Sequence, residues 1–282
     1  MSERTDQKKY DQLIRDGFCT IDQVLGPDML ARVRASSDGL LDAKPDSHFA
    51  EQKSTGSMIS VYEDPFFSQL VAYGPALDAL AALGFHRPTW SSGFVISKPP
   101  HSPPLFWHQD WWGWNDPCSY EAPPQQLFLM YYLVDTDVHN GCLRVIPGSH
   151  LRRHALHDCV EEAHTDELRS MADPEHEAYA PADDAMDVPV RAGDLVIGDS
   201  RLLHSAHANQ SDQRRTVITL WYHPLFHEMP APIRARLADH DRPESWSDLE
   251  TRNLLKPLTA VYDEAAPVPS IAWNRTPGPD LN

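Results

Sequence analysis

From Pro88 to Tyr222 the chain is cut into short apolar runs by turn residues, and that texture limits its fold more than any other feature. Thr89–Ser97 is strand-like, Leu127–Val134 is almost wholly apolar and aromatic, and Cys142–Ile146 closes on Pro147-Gly148. Val188–Val190, Asp194–Gly198 and Thr216–Tyr222 follow, again separated by turn residues. A run apolar at nearly every position is a strand covered on both faces. Gly/Pro punctuation between such strands favours a sandwich or jelly roll over a helical bundle. Proline is abundant, 25 of 282 residues or about 9% against a usual ~5%, which suits loops and short strands better than helix interiors.

Helices flank this core. Tyr10–Gly17 and Pro27–Leu41 bracket a short strand, Phe18–Ile21, and Met29, Leu30, Val33 and Leu40 recur at helical spacing. Pro65–Leu83 reads as a third helix ended by Gly84. Cys159–Met171 is a polar, helix-like insertion followed by the acidic run Asp183–Asp187, and Ala231–Asp239 and Ser245–Leu255 read as short helices before a tail of fifteen residues. The expected organisation is one mainly β domain with flanking α-helices over 1–282. Residues 1–87 form a helical support, 88–226 the β core with a helical insertion at 151–187, and 227–282 the C-terminal helices and tail.

Charge narrows the partners. Twenty-four Lys and Arg stand against 41 Asp and Glu, a net charge of −17. Nucleic-acid affinity comes largely from basic residues releasing counterions, so a nucleic-acid partner is not expected, and a substrate on a nucleotide handle is disfavoured. No run approaches the ~20 apolar residues of a membrane span, and Met1 to Gln12 is polar, so the expectation is a cytoplasmic protein with no membrane partner. Cys19, Cys118, Cys142 and Cys159 lie far apart without a CxxC and read as reduced thiols. A small-molecule substrate is expected; nothing in the sequence fixes an oligomeric state.

Chemistry concentrates in Phe106-Trp107-His108-Gln109-Asp110. In an extended segment residues i and i+2 point to one side, so His108 and Asp110 can present an imidazole and a carboxylate to a single point. Two histidines and one carboxylate on one face of an octahedron make a mononuclear non-haem Fe(II) site with its other face open. His164-Thr165-Asp166 has the same spacing, but it lies in a segment that reads as helical, where i and i+2 diverge. The third ligand must come from elsewhere. Asp199–Asn209 ends in His204 and His207, and after the turn-forming Asn209–Asp212 the chain returns through Arg214 and Arg215 into Thr216–Tyr222. A hairpin there brings an arginine back toward a histidine, and strand alternation sends one of the two arginines inward. A guanidinium is suited to a two-pronged pair with a carboxylate.

The set FWHQDWW, NGCLRVIPGSH (Asn140–His150) and GDLVIGDSRLLHSAHANQSDQRR (Gly193–Arg215) resembles the phytanoyl-CoA dioxygenase family of Fe(II)- and 2-oxoglutarate-dependent oxygenases. The resemblance runs from about Tyr10 to Tyr222. It implies a double-stranded β-helix, the cupin-like jelly roll, with His108, Asp110 and His204 as iron ligands and Arg215 as the anchor of the 2-oxoglutarate cosubstrate. It also implies O2 as oxidant and hydroxylation, or another oxidation, of an unactivated C–H bond with release of succinate and CO2. Related halogenases carry a small residue at the carboxylate position; Asp110 fills it here. Some relatives have a serine two residues after the distal histidine, where this chain has Ala206. Gln126, Met130 and Tyr132 alternate along one strand face, and Gln126 and Tyr132 are candidates for the cosubstrate wall. Trp111, Trp112 and Trp114 are candidates for a substrate wall at the barrel mouth, with Lys98 a candidate contact to a carboxylate of substrate or cosubstrate. His101, His150, His154 and His157 read as surface or outer-sphere histidines. The Cys159–Asp187 insertion and the loop after Asp110 are candidate lids.

Overall fold

A computed structural model describes residues 3–159, 165–239, 243–263 and 274–282. Among them are β1 (Phe18–Ile21), β2 (Met58–Ser60), β3 (Thr89–Lys98), β4 (Leu127–Tyr132), β5 (Leu143–Val145), β6 (Met186–Val188), β7 (Leu195–Asp199), β8 (His204–Ala206) and β9 (Arg215–His223). The major sheet has the order β1-β7-β4-β9-β3-β2 and the minor sheet β6-β5-β8, all antiparallel. They face each other as the two halves of a jelly roll, without closing into a barrel.

The apolar strands are the central ones. β4 pairs with β7 on one edge and β9 on the other. Its alternate residues feed two cores: Leu127, Leu129 and Tyr131 meet the N-terminal helices, while Phe128, Met130 and Tyr132 point between the sheets. β9 repeats the pattern, with Ile218, Leu220 and Tyr222 outward to the helices and Val217 and Trp221 inward. Burying both faces explains why neither strand shows polar alternation.

The helical layer differs in detail from the sequence expectation. Pro65–Leu83 is two helices, Phe67–Val71 and Gly74–Ala82, because Pro75 lacks the N–H an interior turn needs and sits instead in the first turn of a new helix. Pro27–Asp42 matches the expected second helix, and the first begins earlier, at Glu3–Asp16. Asp46–Glu51 and β2 were not foreshadowed by periodicity, being only six and three residues long. Gly56 lets the segment before β2 lie against β3: at φ +94° a Cβ there would stand 2.2 Å from the Ser97 carbonyl oxygen.

Of the insertion, Leu156–Cys159 and Asp166–Ser170 are helical; His164 lies outside the described residues. The end of the chain is not a free tail. Asn274 bridges Gly113, Leu281 is buried beside Trp111 and Trp114, and the Arg153 N–H donates to the Asn282 carbonyl at 2.9 Å. All four cysteines are free. Among the described residues no helix is long and apolar enough to cross a membrane.

Candidate metal centre

The segment carrying His108 and Asp110 is extended and meets β8 in a single antiparallel bridge. His108 N–H donates to the His204 carbonyl at 3.0 Å, and His204 N–H to the His108 carbonyl at 2.8 Å. Directly opposed residues share a face, so the imidazoles come together, with ring centroids 4.1 Å apart. Asp110, two residues on, joins them. Its Oδ1 lies 3.7 Å from His108 Nε2 and its Oδ2 3.7 Å from His204 Nε2. One donor atom from each of the three lies within 4.8 Å of the others.

The surroundings fix which atoms face inward. His108 Nδ1 donates to the Phe106 carbonyl (3.1 Å) and His204 Nδ1 to the Leu202 carbonyl (3.0 Å). A carbonyl only accepts, so each Nδ1 carries the proton and each Nε2 keeps its lone pair for a ligand bond. Trp221 Nε1 donates to Asp110 Oδ2 at 2.9 Å, holding the carboxylate in place. Two neutral imidazoles and a carboxylate, buried and preset, are the donor set of a divalent metal with N/O preference, and an iron ion fits it.

These residues line one wall of a cavity of about 60 Å³. At its other end stand Lys98 and Arg215, which pair across β3 and β9. Both are almost wholly buried. Lys98 Nζ donates to the Ser54 and Pro103 carbonyls, Arg215 Nε has no hydrogen-bond partner, and among the described residues no carboxylate ion-pairs with either. Burial, with Arg215 and then Arg144 beside it, holds the Lys98 ammonium well below the usual lysine range; burial also lowers Arg215. Two opposed basic groups cut off from water are unfavourable as cations when alone, and an anion between them would relieve both. Tyr132 lines the same end. Burial pushes its phenol up to about 12, so it stays a neutral donor. Gly141, at φ +91°, lies close behind this pair; a Cβ there would lie 3.4 Å from Lys98 Cδ and 3.6 Å from Arg215 Nε.

The rival residues separate cleanly. His207 Nε2 is 2.7 Å from Asp187 Oδ1, away from the triad, and Arg214 turns outward to Asp38 and Asp42. Gln126 faces His223, its Nε2 3.4 Å from that ring's Nε2, and does not line the cavity. Trp111, Trp112 and Trp114 do not line it either. Trp111 and Trp114 are buried against Phe226, Ile233 and Leu281, their indole N–H groups donating to Ser119 Oγ and Gln109 Oε1. Trp112 is half-buried under the Arg236 guanidinium, 5.0 Å from its ring. The loop after Asp110 is thus packed on the C-terminal helices. His150 and His157 are buried rather than superficial, whereas His101 and His154 sit beside Asp212 and Asp184. Ala206 lines the cavity where some relatives have serine. Sequence reasoning missed Thr55, Met58, Thr219 and Trp221. Stepping by two from Arg215 reaches Val217, Thr219 and Trp221, so strand alternation held that signal; Thr55 and Met58 come from the unforeshadowed segment around β2.

A jelly roll whose core gathers two imidazoles and a carboxylate beside a buried arginine has the architecture of mononuclear non-haem iron enzymes. The chain matches the model of the phytanoyl-CoA dioxygenase (PhyH) family over residues 13–217 and belongs to that family. It is 25% identical over 241 residues to the ectoine dioxygenase of Nocardia farcinica (strain IFM 10152), covering 78% of each chain. It is 28% identical over 162 residues to phytanoyl-CoA dioxygenase 1 of Oryza sativa subsp. japonica, covering 56% of this chain and 52% of that one. Its fold resembles that of the epimerase SnoN, solved with Fe3+, alpha ketoglutarate and nogalamycin RO (TM-score 0.59, 20% identity, 86% of this chain and 94% of that one). It is accordingly a 2-oxoglutarate-dependent non-haem iron enzyme, with iron, 2-oxoglutarate and O2 as cofactors.

Proposed function

We propose that the enzyme hydroxylates an unactivated C–H bond of a small, largely apolar and uncharged metabolite, with conversion of 2-oxoglutarate to succinate and CO2. The observation that carries this reading is the Arg215–Lys98 pair, buried with no carboxylate ion-paired to it among the described residues, at the far end of the cavity that His108, Asp110 and His204 line. Iron, when bound, supplies the O2 chemistry.

The chain's own residues do the rest. His108 Nε2, His204 Nε2 and an Asp110 oxygen would hold the metal, and as only three protein donors they would leave it open to further ligands. Arg215, with Lys98 and the Tyr132 hydroxyl beside it, receives the distal carboxylate of 2-oxoglutarate, so the keto-acid end is directed at the metal. Met58, Ile96, Leu105, Met130 and Val217 supply an apolar wall that excludes water and bears no charge to pair with a charged substrate. The hydroxyls of Thr55 and Thr219, buried without partners, are the polar groups left to orient one oxygen or nitrogen of the substrate. Asp110 occupies the position a halide would need, which favours oxygen transfer.

Succinate release from a panel of uncharged metabolites with Fe(II), 2-oxoglutarate and O2 tests the reading. Stimulation by a neutral apolar compound, with a product 16 mass units heavier (one oxygen atom), is expected. Iron and 2-oxoglutarate bound with no succinate from any member, or stimulation by charged members alone, would reject it.

A further inference from the structure

The minor sheet has a second face. Leu143, Val145 and Val188 point into the core, so strand alternation turns Arg144 and its cross-strand partners Asp187 and Ser205 to the other side. One step further in the same register, Cys142 stands opposite His207, and the His207 N–H donates to the Cys142 carbonyl at 3.0 Å. A thiol, an imidazole and a carboxylate therefore gather on this outer face. One donor atom from each of Cys142, Asp187 and His207 lies within 4.8 Å of the others.

We propose that Cys142, Asp187 and His207 form a site for a thiophilic divalent cation of the Zn2+ type, separate from the His108–Asp110–His204 centre. The ligand types are those of zinc, three protein donors leaving a fourth tetrahedral position for water. A thiolate selects against the hard ions that an all-N/O set accepts. The burial gradient suits entry from solvent: Cys142 is fully buried, whereas the His207 and Asp187 side chains are 28% and 45% exposed. Arg144, on the same face, stacks on the Trp107 ring (4.9 Å) and donates to Ser205 Oγ (2.9 Å); it and Arg215 are the cations that act on these ligands.

His207 Nε2 and Asp187 Oδ1 are now 2.7 Å apart. On one tetrahedral zinc they would stand about 3.4 Å apart, from Zn–N and Zn–O bonds of about 2.1 Å; two part-exposed side chains reach that spacing by small rotations. Binding breaks the Cys142 S–H bond and forms an S–metal bond, the proton leaving to solvent, with no change of oxidation state. Burial holds the free thiol up at about 11, so affinity rises with pH. Cys142 leads into β5, Asp187 lies on β6 and His207 follows β8. An ion there ties together all three strands of the sheet that carries His204.

Co2+ titration of the full chain carrying His108→Ala, which disables the N/O centre, reads the site. A thiolate-to-cobalt charge-transfer band in the near ultraviolet should saturate at one equivalent. Added Cys142→Ser should abolish it, added His207→Ala should weaken Co2+ binding at least tenfold, and Cys159→Ser, changing the part-exposed thiol of the insertion, should leave it intact. Zn2+ should displace the cobalt and raise the melting temperature. If Cys142→Ser does not fold, judged by circular dichroism, His207→Ala decides alone. No band at millimolar Co2+, or a band indifferent to His207→Ala or to a folded Cys142→Ser, overturns the proposal.

Discussion

Replacing Trp221 by Phe should loosen the metal without dismantling the fold. The indole N–H donates to Asp110 Oδ2 at 2.9 Å, in a position that is 9% exposed. A hydrogen bond to a charged group contributes about 1.5–3 kcal/mol. Part of that loss falls on the apo protein, and the part that falls on metal binding is what the assay reads. Removing a group that orients a metal-ligating side chain typically costs about 10- to 100-fold in affinity, or about 1.4–2.7 kcal/mol. The two ranges overlap, so Trp221→Phe should weaken Fe(II) binding about 10- to 100-fold. The phenyl ring keeps most of the apolar contact, including the edge-on packing with Phe94 at 5.9 Å. Anaerobic competition of Fe(II) against a chelating dye measures the affinity, with thermal melting of the metal-free protein alongside. Val217→Ala is the control, because it lines the same cavity from the same strand face, and it should cost stability while moving Fe(II) affinity less than about threefold. A Trp221→Phe protein that binds Fe(II) within threefold of the wild type would refute the claim that the indole holds the carboxylate.

Arg215→Leu should raise the 2-oxoglutarate requirement about 30- to 1000-fold, because truncating one partner of a buried charge pair costs about 2–4 kcal/mol; the KM for 2-oxoglutarate checks it. Gly141→Ala should destabilise by about 1–2 kcal/mol through its positive φ and also raise that KM, because the new Cβ would lie against Lys98 and Arg215; melting and kinetics read the two effects separately. Burial lowers the His223 pKa from 6.5 to about 4, so between those values the unfolded chain holds a proton the folded one refuses. Stability should then be full above pH 6.5 and fall by up to about 3 kcal/mol toward pH 4, and His223→Gln should remove that part of the slope in urea titrations at successive pH values.

Residues whose role depends on strand alternation were legible in the sequence. His108 and Asp110 share a side because their segment is extended, and alternation sends only one of Arg214 and Arg215 inward, the choice of Arg215 coming from the resemblance. The same logic set Met130 and Tyr132 on the cavity face. Gln126 obeys the alternation as well, but it lies beyond Leu127 at the His223 end of the sheet. Residues whose role depends on tertiary pairing were harder to place. Lys98 comes to stand beside Arg215 because β3 aligns the two, a register no local pattern encodes. The tryptophans after Asp110 could not be sided from sequence. The chain turns there, with the N–H groups of both Asp110 and Trp111 donating to the Ser200 carbonyl, and Trp111 and Trp114 bury their rings against helices from the far end of the chain. The break at Gly74-Pro75 was visible as a proline, yet the Ala/Leu-rich surroundings outweighed it.

The central claim is that three side chains and one guanidinium assemble a site for a chelated keto acid. Anaerobic addition of 2-oxoglutarate to the Fe(II)-loaded enzyme tests it most directly, through the visible metal-to-ligand charge-transfer band of the chelate. The band should appear in the wild type, vanish in His204→Ala, and in Arg215→Leu require at least thirtyfold more 2-oxoglutarate. A band that persists in His204→Ala, or a wild type that binds Fe(II) and never develops one, would contradict the account.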